Sequence, residues 1–167
     1  KLQEKGFEHE KLFLKSLKES GKSVIKIEKT KNEIRKKQTK ISIQKGVDVI
    51  AQAYLEKEKF GGIADFLIKV QGQSKLGDYH YEIWDTKLSK KMKPYFAIQL
   101  CCYAEMLENI QGLLPKKIVV ILGDNKIKNL KLKDYFGYYK SLKLNFINFH
   151  NNWTIDCKPD PFESSSN

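Results

Sequence analysis

The sequence predicts an α/β domain in which a central mixed β-sheet is flanked by helices. Two apolar stretches rich in β-branched and aromatic residues, at 63–70 and 79–88, are separated by a turn that contains glycines, and together they have the features of a β-hairpin. A continuous apolar run at 117–122 lies between Pro115 and Gly123, which is typical of a strand buried on both faces. Amphipathic stretches on either side of these strands supply the covering helices.

The other elements follow in order along the chain. Residues 7–20 predict an amphipathic helix closed by Gly21 as its C-cap, and 47–55 predict a strand that leads into the hairpin. Pro94 suits the first turn of a helix that runs to about residue 109. A last helix is predicted at 135–143.

Length and charge limit the kind of protein. The 167 residues are enough for one domain with its own core, which we expect at 1–150, and 151–167 has the prolines and serines of a tail or linker that leads to further domains of a longer parent chain. Lysine and arginine number 31 against 20 acidic residues, giving a formal net charge of +11. This excess favours an anionic partner, of which nucleic acid is the commonest.

A membrane surface would also attract a basic protein. The sequence contains no continuous basic amphipathic helix with a bulky aromatic face and no transmembrane run, so we expect no membrane partner. It has no signal-peptide pattern, and its three cysteines do not make a disulfide framework. We therefore expect a cytoplasmic protein.

The predicted hairpin carries two carboxylates in apolar surroundings. Asp65 lies on its first strand and Asp85 on its second, and a hairpin of this size can bring them side by side. Apolar strands rarely hold an unpaired interior Asp, which disfavours the alternative that both are solvated edge charges. Adjacent carboxylates repel unless a positive charge lies between them, and Mg²⁺ or Mn²⁺ with oxygen ligands would meet that need.

Residues next to Asp85 extend this candidate site. Lys87 is two residues further along the strand and therefore faces the same side, while Thr86 points away and presents only its backbone carbonyl to the metal. The lysine would assist deprotonation of a water or stabilise charge that develops on a phosphate, as phosphodiester cleavage requires. Solvation of Lys87 is the alternative.

The helix that begins at Pro94 places polar residues on its inward stripe. Gln99 and Tyr103 lie at i and i+4, and buried polar groups at this spacing need partners. We expect Gln99 to orient Lys87 or a substrate phosphate and Tyr103 to hydrogen-bond the nucleic-acid backbone. The alternative is a tyrosine that packs the helix with a glutamine at the rim.

Together these residues resemble a known family. Asp65, the Asp85-Thr86-Lys87 tripeptide and the Gln99 to Tyr103 segment match the D…DxK…QxxxY signature of the RecB-like branch of the PD-(D/E)XK nucleases. The resemblance covers roughly residues 6–125 and extends to the nuclease domains of bacterial RecB-like nuclease–helicase fusion proteins. It implies a restriction-endonuclease-like core and a divalent-metal-dependent DNA nuclease.

The resemblance also bears on the first helix. His9 falls near the apolar face, where a lone histidine is more often a core residue than a ligand. RecB-like nucleases carry a metal-binding histidine in a GxxH element, which Gly6 to His9 matches, so the resemblance implies His9 as a third ligand and leaves Glu10 as the alternative. Some relatives bind an iron–sulfur cluster through four cysteines, which this chain gives no reason to expect.

Lysines near these motifs are candidates for binding the sugar–phosphate backbone. The stretch from 24 to 45 is poor in acids, and its alternative is a mobile solvated loop. A second lysine-rich link directly follows the DxK strand. The candidates are Lys36, Lys37, Lys90, Lys91 and Lys93.

Two other classes of function stay open. A catalytically silent nuclease fold would bind nucleic acid for a helicase partner, and a scaffold domain would bind acidic protein through its basic surface. For the nuclease we expect single-stranded DNA in preference to double-stranded DNA, with RNA left open, in DNA repair or recombination, although defence against foreign DNA fits the same residues.

Overall fold

The computed structural model describes residues 2–153, and within them six strands form one mixed sheet whose spatial order follows the sequence. In chain order the elements are α1 (Leu2–Glu19), β1 (Val24–Lys26), α2 (Asn32–Gln44), β2 (Val49–Lys57), β3 (Phe60–Ser74), β4 (Gly77–Thr86), α3 (Pro94–Gln111), β5 (Lys117–Ile121), β6 (Ile127–Lys131) and α4 (Lys133–Asn152). The strands β2, β3 and β4 form an antiparallel meander, β1 and β5 are added in parallel to β2 and β4, and β6 pairs antiparallel with β5.

Both faces of the sheet are covered, as the α/β prediction requires. Leu14 of α1 packs with Val49, Ala51, Phe66 and Ile68 in the smaller apolar cluster. The larger cluster joins the opposite face to α3, with contributions from α2 and α4. The described part of the chain is therefore an α/β fold with a six-stranded mixed sheet flanked by four helices, compatible with a restriction-endonuclease-like core.

Strand β2 changes face at Gln52. Strict alternation would place Val49, Ala51, Ala53 and Leu55 on one side of the sheet. The first two belong to the smaller cluster and the last two to the larger one. Gln52 has a φ of 57°, in the left-handed region that few non-glycine residues adopt, and this backbone geometry accounts for the switch.

The segment at 24–45, for which a mobile solvated loop was one of the two predictions, is not a loop. It forms β1 and α2, and the buried positions of α2 are mostly polar: Arg35, Thr39, Ser42 and Ile43. They recur at i, i+4, i+7 and i+8, so the helical period is present but is carried by residues that an apolar pattern does not detect. β6 was also not predicted, and α4 is much longer than the predicted 135–143.

The predicted tail begins at 151, whereas α4 continues to Asn152. Residues 154–167 of that tail lie outside the described residues. Within 2–153, no helix combines the length and apolar character that a membrane span requires.

Candidate functional site

Asp65 and Asp85 lie on neighbouring strands at one end of the β3–β4 hairpin. Phe66 pairs with Trp84 and Leu67 with Ile83, a register that puts Asp65 directly opposite Asp85. Asp85 is only 3% exposed. Its burial, followed by the charge of Asp65, raises the pKa of the Asp85 carboxyl to about 7, although Lys87 acts in the opposite direction. The hairpin therefore brings the two predicted carboxylates together.

Thr86 contacts Asp65 in a way the strand pattern did not predict. Its backbone N–H and its hydroxyl both donate to Oδ2 of Asp65, at 2.9 and 2.8 Å. The expectation that Thr86 presents only its backbone carbonyl is therefore wrong. Strict alternation of side chains does not hold at Thr86, because it is the last residue of β4. The hydroxyl fixes the orientation of the Asp65 carboxylate.

Lys87, Gln99 and Tyr103 form a chain of contacts that begins at Asp85. Nζ of Lys87 lies 2.7 Å from Oδ2 of Asp85 and donates to Oε1 of Gln99 at 2.9 Å. Nε2 of Gln99 in turn donates to the Tyr103 hydroxyl at 3.3 Å. The DxK strand and the QxxxY helix thus meet in the structure, and Gln99 contacts Lys87, one of the two partners expected for it.

Gly62 allows Tyr103 to approach the sheet. A Cβ atom added at Gly62 would lie 2.7 Å from Cε1 of the tyrosine ring, which is closer than side chains tolerate. The Tyr103 hydroxyl is protonated at neutral pH and can act as a hydrogen-bond donor, and burial raises its pKa further. A glycine three residues before Asp65 is therefore a requirement of the site.

Helix α1 contributes Glu10 to the same cleft. A cleft of about 580 Å³ is lined by both aspartates, Lys87, Gln99 and Glu10. Gln52 donates to Oε1 of Glu10 at 2.9 Å, and burial, followed by the charge of Asp65, raises the pKa of Glu10.

His9 is not among the residues that line the cleft. Its Nε2 atom is buried and has no hydrogen-bond partner among the described residues. The placement therefore favours Glu10, the alternative ligand, over His9, and the identity of a third ligand stays a prediction.

A buried carboxylate oxygen of Asp85 would suit a hard divalent cation. Oδ2 of Asp85 is buried, and within the part of the chain that the structure describes no donor makes a well-aligned hydrogen bond to it, since Lys87 is close but misaligned. Such an oxygen gains from a cation. Residues 4–153 contain no group of three or more His, Cys, Asp or Glu side chains arranged to hold a metal, so a cation would rest mainly on Asp65 and Asp85.

The candidate nucleic-acid lysines fall into two groups. Lys36 is exposed, pairs with Glu56 and lines a cleft that shares no residue with the aspartate cleft, and Lys37 is exposed on the same helix. The second group lies in the exposed link after β4, next to Leu88, which lines the aspartate cleft. Its members are Lys90, Lys91 and Lys93.

Close packing holds this link in place. The Gly123 N–H donates to the Ser89 carbonyl at 3.1 Å, and a Cβ at Gly123 would lie 2.1 Å from the Leu88 carbonyl oxygen. Only glycine fits there. The link, with its lysines, is therefore fixed beside the site.

Sequence reasoning gave no individual role to two residues near the site: Arg35, which was counted only among the basic residues of 24–45, and Gln52, which was not considered. Arg35 is buried and donates through Nη2 to the Gln52 carbonyl at 3.2 Å. One signal was available, because Arg35 is the only arginine in the sequence. No sequence pattern marks the left-handed backbone of Gln52.

Comparison with models of protein families finds no match, and comparison with curated proteins finds no relative. The resemblance to RecB-like nucleases therefore stays a prediction from the motif residues of the sequence.

Proposed function

We propose that the protein is a divalent-metal-dependent nuclease of the RecB-like PD-(D/E)XK type that hydrolyses phosphodiester bonds in DNA. One observation carries the proposal: the buried Asp85 and the half-buried Asp65 share a cleft with Lys87, whose ammonium lies 2.7 Å from Asp85. A buried carboxylate with a second carboxylate and one lysine beside it is costly for a purely structural role and suits a site that binds cations and phosphate.

Different residues of the chain would bind the metal ion, stabilise charge and position the lysine. A bound Mg²⁺ or Mn²⁺ ion would supply a water of lowered pKa and neutralise charge on the phosphate. Asp65, oriented by Thr86, and Asp85 would hold the ion, with Glu10 or His9 and the Thr86 carbonyl as further ligands. Lys87 would direct its charge at the attacking water or the phosphate, and Gln99 would keep Lys87 in place.

The proposed substrate is DNA, single-stranded in preference to double-stranded, with RNA left open. The net charge of +11 and the lysine link after β4 support an anionic polymer. We place the protein in the cytoplasm, in DNA repair or recombination, with a helicase domain in the same parent chain, and defence against foreign DNA is equally compatible with the site.

One observation favours the second candidate, a catalytically silent nuclease fold that only binds nucleic acid. The ammonium of Lys87 already lies 2.7 Å from the Asp85 carboxylate, where a cation would otherwise bind. In such a module the lysine would replace the metal.

Digestion of end-labelled single-stranded DNA with Mn²⁺, Mg²⁺ or EDTA tests the proposal. The unmodified protein should give metal-dependent products, and Asp85→Asn and Lys87→Ala should each slow cleavage by about 100-fold or more. Asp78→Asn is a matched control, because Asp78 is exposed at the turn end of the hairpin. No cleavage by the unmodified protein, with DNA binding intact, would contradict the nuclease proposal and favour the silent module.

A further inference from the structure

A second cleft adjoins the aspartate cleft. It has a volume of about 660 Å³ and is lined by Lys26, Lys29, Arg35 and Gln52, among others. Phe7, Glu10 and Ile63 line both clefts, so the two lie side by side. A strand of nucleic acid bound at one would therefore pass next to the other.

Arg35 gives this second cleft its chemical character. It is the only arginine among 31 basic residues, and it is 5% exposed. Nη2 reaches the Gln52 carbonyl, while the buried Nε has no hydrogen-bond partner in residues 4–153. No ion pair of these residues includes Arg35. A buried guanidinium without a carboxylate is costly, and its planar fork of donors matches a phosphate as a lysine cannot.

The backbone beside Arg35 is strained. Gln52 holds a φ of 57° in the middle of a strand, directly across from Asp65 in the β2–β3 register. This conformation turns its carbonyl to Arg35 and lets its side-chain amide donate to Glu10 at 2.9 Å. Strain of this kind persists where the surrounding structure requires it, and here it ties the guanidinium to the aspartate cleft.

The charges around the cleft favour an anion by a small margin. Lys26 and Lys29 are exposed at its rim, and with Arg35 they make three cations. Two carboxylates, Glu10 and Glu28, line it as well. Glu10 is shared with the aspartate cleft and is bonded by Gln52, which leaves Glu28 as the exposed opposing charge.

We propose that the Arg35 cleft is a phosphate-binding subsite, which holds a phosphate of the nucleic-acid strand next to the bond at Asp65 and Asp85. The inference rests on the proposed function for the identity of the strand, and on Arg35 and its surroundings for the site. The phosphate belongs either to an internal phosphodiester or to a terminal monoester.

Binding in the absence of catalysis tests the subsite. The full chain carrying Asp85→Asn, in EDTA, is titrated with a fluorescent single-stranded oligonucleotide of about ten nucleotides, without or with a terminal phosphate. Three further substitutions are compared in that background. Arg35→Gln removes the guanidinium, Lys29→Gln removes an exposed rim charge of the same cleft, and Lys128→Gln removes an exposed lysine of β6 as the matched control.

Arg35→Gln should raise the Kd about tenfold or more, Lys29→Gln about two- to threefold, and Lys128→Gln should have no such effect. The proposal is overturned if Lys29→Gln binds like Lys128→Gln, or if a folded Arg35→Gln does. Because Lys29 is exposed, that comparison decides the matter even where Arg35→Gln fails to fold.

The two sources of the phosphate give different patterns. For a terminal monoester, a 5′- or 3′-phosphate tightens binding, and Arg35→Gln abolishes that gain. For an internal diester, Arg35→Gln weakens the binding of circular single-stranded DNA as much as it weakens the binding of a linear strand. If the unmodified protein does not cleave DNA but its binding still depends on Arg35, the nuclease proposal fails and the subsite proposal stands. If the unmodified protein cleaves DNA and Arg35→Gln leaves the affinity unchanged, the nuclease proposal stands and the subsite proposal fails.

Discussion

Asp85 lies where its charge is costly to the folded protein. It is buried, it faces Asp65 across the hairpin, and the lysine that approaches it is shared with Gln99. Such a residue weakens the protein in the absence of a cation and serves the site in its presence. Stability and function are thus opposed at this one side chain.

Asp85→Asn should therefore make the protein more stable while it abolishes cleavage. In EDTA at about pH 8, we expect the free energy of unfolding to rise by about 1–2 kcal/mol, measured by urea denaturation, because the buried carboxylate repulsion is removed. Mn²⁺ should raise the melting temperature of the unmodified protein and have little effect on Asp85→Asn, since cation binding adds stability only where the ligands are present.

The difference in the free energy of unfolding between the unmodified protein and Asp85→Asn should depend on pH, because the pKa of Asp85 is raised. Asp85 has a folded-state pKa of about 7 against an ordinary value of 3.8, so the folded protein binds an extra proton between these values. The unmodified protein should lose stability relative to Asp85→Asn as the pH rises from about 4 to 7, and the two should converge below this range. Equal stability at about pH 8 would contradict the prediction, and Asp78→Asn provides the control.

Helix α3 serves two structures at once. Gln99 and Tyr103 face the site, and Glu105, two residues further along, faces α4. Glu105 is 3% exposed and accepts from the Tyr139 hydroxyl at 2.5 Å, from Lys143 at 2.8 Å and from Lys140 at 2.9 Å. This cluster attaches the last helix to the helix that carries the QxxxY residues.

Glu105→Gln should cost about 2–3 kcal/mol in the free energy of unfolding at neutral pH, because it leaves the largely covered ammonium of Lys143 with only the more distant carboxylate of Glu58, at 3.8 Å. Burial alone would raise the pKa of Glu105, but hydrogen bonds from Lys143, Tyr139 and Lys140 outweigh it and lower the pKa to about 2. The stabilisation is therefore present above the unfolded-state pKa, near 4.5, and is lost as the pH falls from there towards 2.

Urea denaturation of Glu105→Gln and of the unmodified protein across this pH range checks the prediction. Glu108→Gln, on the next turn of the same helix, is the control for loss of a carboxylate. A difference between Glu105→Gln and the unmodified protein that persists unchanged at about pH 2 would contradict the proposed cluster.

Elements that bury apolar side chains could be predicted from the sequence, and elements that bury polar side chains, or that stay exposed, could not. The β3–β4 hairpin and α3 follow from apolar patterns, and they placed both aspartates, Lys87 and Gln99 in one cleft. The buried positions of helix α2 include the polar residues Arg35, Thr39 and Ser42, so an apolar pattern does not detect its helical period. Strand β6 is an exposed edge strand that carries lysines, and it has no apolar pattern either.

At the site itself, the residues that were missed depend on backbone geometry. The face switch of β2 at Gln52 and the turn of Thr86 towards Asp65 both break the two-residue period, and a pattern argument assumes that period. The contact between Arg35 and the Gln52 carbonyl depends on the same switch.

At the scale of the whole molecule, the question is whether the basic charge acts by its amount or by its position. The formal net charge is +11, and some of the lysines, Lys36 among them, line a cleft that shares no residue with the aspartate cleft. Lys36 is engaged by Glu56, whereas Lys90, Lys91 and Lys93 are exposed in the link that Gly123 holds beside the site. Position should therefore matter more than total charge.

Two triple variants with the same loss of charge separate these effects. One replaces the link residues Lys90, Lys91 and Lys93 with Gln, and the other replaces the exposed residues Lys128, Lys131 and Lys133. If the link contacts three phosphates, the slope of log K against log salt for single-stranded DNA should become shallower by about 2 in the first variant, since each contact contributes about 0.7. The second variant should keep nearly the original slope. Equal changes would show that only the general charge attracts DNA, and an unmodified protein that binds no DNA would favour the scaffold class instead.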